Sequence, residues 1–511
     1  MVPKQLRRQR EPGRRGMTIG RRVGKIGFLG RGMGAPSLAG SDVVHALGLR
    51  IDEALITEGE GDRERCRYDV PPRRDLLGKV FSRTPAAVVF PDSGQCVADI
   101  LDVCIEERAP AVPRGLGSAG LGGAVPLRGG VVVDLSRLDK VVALDEKSCT
   151  VTVGAGCTWE RIQAEAASKN LSLRSYPARS WAGTVGGWLS TGGYGVGTLA
   201  EGRFGRIVES LEVAVPSGLL VTAGHGRGRY CIESFTGTEG QLGVITALTF
   251  SLKVRPDRRA YYALGPVNPK DAVEALCDLA GLEDPPLGLR LLSGNIAALP
   301  GGSGSSSPSG FVLSMLCEGR ERDIGHFREH LGSLAVGMHA DLRSDDDAQG
   351  LFESRFQDVA YERNKTLVRT GEVLIGLDRL AAFVGVLADE AGGETLVDVQ
   401  VVDRGLALAV TCRLMDRCDS PRVIRDVPLT VETSLAAIRH GGRPHGLGIW
   451  NSPLAKHVLG KERKSLKAIK DETDRLNILN PGKFFSLTTG GGLPVWGLTY
   501  RIGLRMIGVF G

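Results

Sequence analysis

The sequence predicts an α+β protein of more than one domain, and three observations carry that prediction. At roughly 150 residues per domain, 511 residues suggest two to four domains. Between residues 86 and 252, short apolar runs of strand length alternate with segments of helical periodicity. Glycine is concentrated in the same region. The chain has 71 glycines, about twice the usual share, and 25 of them fall among the 129 residues from Gly115 to Gly243. A hydrophobic content of 42% and a charged content of 24% match globular averages and exclude a wholly disordered, fibrous or multi-span membrane protein.

Taken in order, Ala86 to Pro91 reads as a strand, and Asp92 and Ser93 offer N-cap oxygens to a helix running to about Glu107. Val97, Ile100, Leu101 and Cys104 share one face of that helix. A strand ends at Val112 and leads into the glycine-rich loop Pro113 to Pro126. Strands follow over Gly130 to Leu135 and Thr150 to Val153, then a helix over Thr158 to Lys169. A second glycine-rich stretch runs from Gly183 to Gly205, before strands at Ile207 to Val215, Leu219 to Thr222 and Leu242 to Leu252. From Arg259 the chain mixes helix and strand with more charge, interrupted by Pro300 to Gly310, which reads as a mobile surface loop. Strand character returns over Leu396 to Leu414, with helices over Val431 to His440 and Lys461 to Leu476.

Charge and cysteine narrow the setting. Nine Lys or Arg against Glu11 lie in the first 25 residues, so the net +6 sits in the leader and the rest of the chain is near neutral. That leader reads as a disordered start, with Met17 and Met33 as alternative initiators, and no nucleic-acid partner is expected. Arg21-Arg22 has the twin arginines of an export signal, but Lys25 and Arg31 interrupt the apolar stretch that should follow. Ten cysteines without a C-x-x-C pair fit reduced thiols in a cytoplasmic protein. Ser180 to Ala200 has the length of a membrane span and no charge, but seven of its 21 residues are glycine, so it reads as an irregular loop around a ligand. The apolar tail Phe484 to Gly511 carries no acid and offers a packing arm or a surface for peripheral membrane contact at the inner face, not a transmembrane helix.

A lone glycine loop is weak, but five motifs stand in order: PRGLGSAGLGG at 113, GTVGGWLSTGGYGVGT at 183, FTGTEGQLGVIT at 235, HGLG at 445 and NPGK at 480. Together they resemble the flavin-linked oxidoreductases of the vanillyl-alcohol oxidase (PCMH-type) superfamily, in the branch of D-lactate dehydrogenase, the glycolate oxidase FAD subunit and D-2-hydroxyglutarate dehydrogenase. The resemblance covers about residues 84–256 and 436–485. It implies a leader over 1–50, a two-subdomain PCMH-type FAD-binding domain over 51–256 and an α+β substrate (cap) domain over 257–435. A C-terminal segment over 436–485 would return to the flavin, followed by the tail 486–511.

The resemblance also implies the ligands. Arg114, Gly115, Leu116, Gly117, Ser118 and Ala119 stand where the family holds the FAD pyrophosphate on backbone donors. Pro177, Thr184, Val185, Gly186, Gly187, Gly192, Gly193 and Gly195 match its flavin-lining segment. Glu239, Gly243, Val244 and Ile245 match the adenine-side segment, and Asn480 and Lys483 the C-terminal one. No histidine stands in the first loop, which implies non-covalent FAD. His445 matches the family's catalytic histidine, but Pro444 replaces the neighbouring glutamate, and Val397 to Cys412 lacks the histidines that bind metal in some members, so no catalytic metal is expected. Arg355, with Arg443 second, is the candidate for a substrate carboxylate.

The implied activity is an FAD-dependent dehydrogenase that takes hydride from a small hydroxy acid and passes electrons to a separate carrier, such as an iron-sulfur protein. Two alternatives remain open. One is the same fold acting on a sugar, lactone or ether-lipid precursor; the other is an electron-transfer flavin subunit of a larger complex.

Overall fold

A computed structural model of the chain describes residues 40–69, 80–178, 183–226, 230–293, 310–353, 360–362, 365–390, 395–416 and 426–495. Its architecture is α+β. The leader through residue 39, the tail from 496, Arg355, and all of the Pro300 to Gly310 loop except Gly310 lie outside these residues.

The first sheet contains β1 (Ile56–Thr57), β2 (Ala87–Val89), β3 (Ala111–Arg114) and β4 (Val131–Asp134), in the order β1-β2-β4-β3. β2 and β3 run parallel to β4, and their apolar runs are buried, as parallel strands covered on both faces require. Helix α1 (Gly40–Arg50) packs Val43 and Leu47 into the same core as Val97, Ile100 and Leu101 of α2 (Gly94–Glu106). This corrects the expectation of a disordered leader through residue 50: apolar residues four apart give residues 40–50 a buried helical face. α2 starts as expected, with Ser93 Oγ accepting from the Cys96 N–H at 3.3 Å. The C-terminal segment runs alongside β3, since Ala111 donates to Ile478 O and Asn480 donates to Ala111 O, both at 2.8 Å. The NPGK turn is thereby brought under the loop that leaves β3.

The second sheet is antiparallel, with β5 (Val141–Asp145), β6 (Thr150–Gly154), β7 (Leu171–Leu173), β10 (Val208–Val215), β11 (Leu219–Ala223) and β12 (Val244–Val254). β8 (Tyr176–Pro177) pairs with β9 (Gly195–Val196) and clamps the ends of the glycine-rich segment between them. That segment is not wholly irregular. After helix α3 (Trp159–Ser168), Thr184 caps a short helix α4 (Val185–Ser190), its Oγ1 accepting from Gly187 N–H at 3.3 Å. The cap residue and the tertiary packing of Val185 and Leu189 override the poor helix propensity of the glycines.

The third sheet holds β13 (Arg258–Val267), β14 (Gly288–Ser293), β15 (Phe311–Gly319), β16 (Ala360–Glu362), β17 (Lys365–Gly376), β18 (Thr395–Val401) and β19 (Leu406–Asp416), with β20 (Arg443–Pro444) paired to β17. The two-residue period sorts its faces. Val397, Val399 and Val401 pack in one core with residues of the helices Pro269–Ala280 and Leu377–Glu390. Leu396, Asp398 and Gln400 point to the opposite face, toward the glycine-rich loops. No described helix is long and apolar enough to cross a membrane.

Candidate active site

The loop leaving β3 and the second glycine-rich stretch line one cleft, which extends to the polar face of the third sheet. Arg114 ends β3 with its side chain buried, Nη1 lying 3.9 Å from Asp69 Oδ1. Its Nε and Nη1 find no hydrogen-bond partner among the described residues. The backbone N–H groups of Leu116, Gly117, Ser118 and Ala119 likewise meet no partner among the described residues. Gly115 lies so close to Thr184 that a Cβ there would collide with Thr184 Oγ1. Open backbone donors, an unsatisfied buried guanidinium and a wall with no room for side chains make a cradle suited to a diphosphate.

Behind this loop lies a buried charge cluster. Asp69 Oδ2 accepts from Gly122 N–H at 2.7 Å. Lys483 Nζ donates to Gly122 O at 3.1 Å and Val125 O at 2.6 Å. The Glu239 carboxylate accepts from Leu447 N–H and Gly448 N–H at 2.6 and 2.7 Å, tying the HGLG turn to the adenine-side segment. Burial raises the Asp69 and Glu239 carboxyls above the usual carboxylate range and pushes the Lys483 ammonium down to about 7, opposed at Asp69 chiefly by Arg114, at Glu239 chiefly by the Leu447 and Gly448 N–H groups, and at Lys483 by the two carboxyls.

At the other end stands His445, placed when β20 pairs with β17. His445 N–H donates to Glu372 O at 2.9 Å, and its Nδ1 lies 3.1 Å from Glu372 Oε1. A carboxylate there favours the tautomer with its proton on Nδ1, leaving Nε2 as an acceptor. Nε2 is buried without a hydrogen-bond partner and faces Gly192, where a Cβ would stand 3.3 Å away. Tyr194 meets the imidazole edge-on, ring centroids 5.7 Å apart. The floor is the polar face of the sheet: Glu372, Val410 and Asp398 lie across three strands in register, and Leu374, Leu408 and Gln400 one step along. Asp398 accepts from Arg290 at 3.3 and 2.9 Å.

Comparison with known proteins names the cofactor. Residues 85–224 match the family described as "FAD binding domain". The chain is an FAD-dependent oxidoreductase with the fold of the PCMH-type flavoproteins. This flavoprotein is 26% identical over 443 residues to the glycolate oxidase subunit GlcD of Bacillus subtilis, covering 82% of this chain and 91% of that one. It is 28% identical over 214 residues to the D-lactate dehydrogenase of Anaerostipes hadrus, covering 38% of this chain and 44% of that one. In fold it is similar to 4-ethylphenol oxidase from Gulosibacter chungangensis in its isoeugenol complex, with TM-score 0.71, 17% identity and coverage of 90% of this chain and 98% of that one.

Of the cofactor residues named from sequence, the cleft of the flavoprotein brings together Arg114 to Ala119, Pro177, Thr184, Gly186, Gly187, Glu239, Gly243, Val244 and Ile245. The remaining ones stand elsewhere. Val185 points into the core under α4, where its N–H bonds Cys157 O. Gly193 is packed against Phe204, Gly195 belongs to the β8–β9 clamp, and Gly192 faces His445. Asn480 and Lys483 brace the loop from behind rather than line the cleft: Asn480 Nδ2 donates to Gly123 O and Glu239 O. Arg443 donates to Val458 O and does not line the cleft. Among the described residues no three His, Cys, Asp or Glu side chains gather into a metal-binding group. With Pro444 in place of the expected glutamate, the carboxylate beside the imidazole is that of Glu372, 73 residues before His445. Tyr194, Glu372, Asp398 and Gln400 were not identified from sequence. The alternation Leu396, Asp398, Gln400 against Val397, Val399, Val401 was the available signal for the last two.

Proposed function

We propose that this flavoprotein oxidises the carbinol carbon of a small hydroxylated substrate, with His445 as the proton acceptor, and hands the electrons to a separate protein. One observation carries the reading: His445 lines the cleft with its Nε2 unpartnered among the described residues, while Nδ1 is held by Glu372. Glu372 fixes the ring and stabilises the imidazolium that forms when Nε2 receives the hydroxyl proton, as a carboxylate does for any base histidine. FAD, when bound, supplies the acceptor for the hydride that leaves the same carbon, so the CH–OH group becomes C=O with one hydride and one proton accounted for. Arg114 and the N–H groups of residues 116–119 would hold the diphosphate, and Thr184, Gly186 and Gly187 would line the flavin side.

The relatives named for glycolate and D-lactate make small hydroxy acids the first donors to try. That GlcD is titled a subunit supports a partner protein as electron acceptor, with an iron-sulfur protein as one class. Reconstitution with FAD followed by anaerobic addition of hydroxy acids, polyols and lactones tests the reading. Bleaching of the flavin band by at least one carbinol donor is expected. A flavin that no donor bleaches but a partner protein reduces would turn the reading toward an electron-transfer subunit.

A further inference from the structure

His445 opens a short turn whose two sides are held by different parts of the fold. Before the ring, the His445 N–H donates to Glu372 O on β17 at 2.9 Å. After it, the Leu447 and Gly448 N–H groups donate to the two carboxylate oxygens of Glu239, at 2.6 and 2.7 Å, from 208 and 209 residues further along the chain. Gly446 stands between these anchors with φ +77°, and a Cβ there would lie 2.8 Å from Leu121 Cδ1. A side chain is aimed only as well as its backbone is held, so the direction of the imidazole depends on both anchors.

Glu239 is itself a fixed post. It is 8% exposed, and its backbone takes φ +51°, the left-handed region that a residue other than glycine occupies only when its surroundings impose it. Two contacts impose it here: the Glu239 N–H donates to Ser190 O at 2.9 Å, and the Glu239 carbonyl accepts from Asn480 Nδ2 at 2.8 Å. Ser190 lines the cleft, and so do Gly240, Gly243, Val244 and Ile245, which follow Glu239 in the chain. The residue thus joins the wall of the proposed cofactor end to the turn that carries His445. An ionised carboxylate only accepts, so its two oxygens suit two N–H groups, whereas an amide would turn its NH₂ toward one of them.

Resting on the reading of His445 as proton acceptor, we propose that Glu239 is a positioning residue for the oxidation. Its carboxylate fixes the turn after His445 and so sets the imidazole against the cofactor wall.

The test measures anaerobic flavin reduction in the full chain at saturating FAD, so that any change in cofactor affinity drops out, with the hydroxy acid, polyol or lactone that bleaches the wild type. Glu239→Gln should slow reduction at saturating donor by about tenfold or more, the scale of a misplaced catalytic group, while KM for the donor stays within about twofold. The double variant of Glu239→Gln with His445→Ala should be no slower than His445→Ala alone, because nothing is left to position. A residue that only supported the fold would multiply the two losses. With 15N-labelled histidine, Glu239→Gln should also shift the His445 ring signals, identified by their loss in His445→Ala, and this readout needs no donor. Should Glu239→Gln not fold, Glu239→Asp, which keeps the charge but falls one methylene short of the turn, is expected to behave in the same direction. Losses that multiply, a wild-type reduction rate in the Glu239 variant, or unmoved His445 signals overturn the inference and leave the carbinol oxidation standing. A wild-type rate in His445→Ala, or a wild-type flavin that no donor bleaches, removes the carbinol oxidation and the inference with it.

Discussion

The two ends of the cleft are built on opposite principles. The proposed cofactor end is made of backbone: open N–H groups of residues 116–119, the close approach of Gly115 to Thr184, and the HGLG turn held by Glu239. The proposed substrate end is made of side chains projected from separate strands: Glu372 from β17, Asp398 and Gln400 from β18, and His445 beyond β20. A backbone site needs a run of particular residues and so leaves a motif. A side-chain site needs only that strands pair in register, which leaves almost none.

The comparison can be broken by variants that should separate the two ends. The largest effect is expected from His445→Ala, which removes the proton acceptor and should slow anaerobic flavin reduction by about 100-fold or more, the usual scale for a positioned base, with FAD affinity unchanged. Arg114→Leu should act in the reverse sense: a lost charge-assisted contact to the diphosphate weakens FAD binding about tenfold or more, measured by flavin fluorescence titration, while reduction at saturating FAD keeps its rate. Glu372→Gln keeps the shape and a hydrogen-bond acceptor but removes the charge that stabilises the imidazolium. It should slow reduction by roughly tenfold and leave FAD affinity alone. If Glu372→Gln weakened FAD binding, the separation of the two ends would fail.

The smallest expected effect concerns the brace behind the loop. Lys483 keeps its proton up to 10.5 when unfolded but only up to about 7 when buried. Between those values the unfolded chain binds more protons at this site, so this contribution to stability rises with pH and is lost as pH falls toward 7. The melting temperature of the wild type relative to Lys483→Met should accordingly rise between pH 7 and 10, by at least about 2 °C for a chain this large. A difference that stays flat or falls would show that Lys483 is not buried as a charge-sensitive brace.

Much of the first end was legible in the sequence because the glycines stand in contiguous runs. What sequence could not distinguish there was contact from support: Val185, Gly193, Asn480 and Lys483 belong to the same motifs as lining residues, yet pack into the core or behind the loop. The second end was legible only at His445. Pro444 replaces the expected acid, and nothing local signals that Glu372 reaches the imidazole, because β17 and β20 meet through sheet pairing alone. The helix at Gly40–Arg50 was hidden by the basic leader before it, although Val43 and Leu47 have helical spacing.

One measurement bears most directly on the cleft as described: FAD dissociation constant and single-turnover flavin reduction rate, determined side by side for the wild type, Arg114→Leu and His445→Ala. The expected result is crossed, with Arg114→Leu weakened in FAD affinity alone and His445→Ala slowed in reduction alone. A His445→Ala protein that reduces its flavin at the wild-type rate would contradict it.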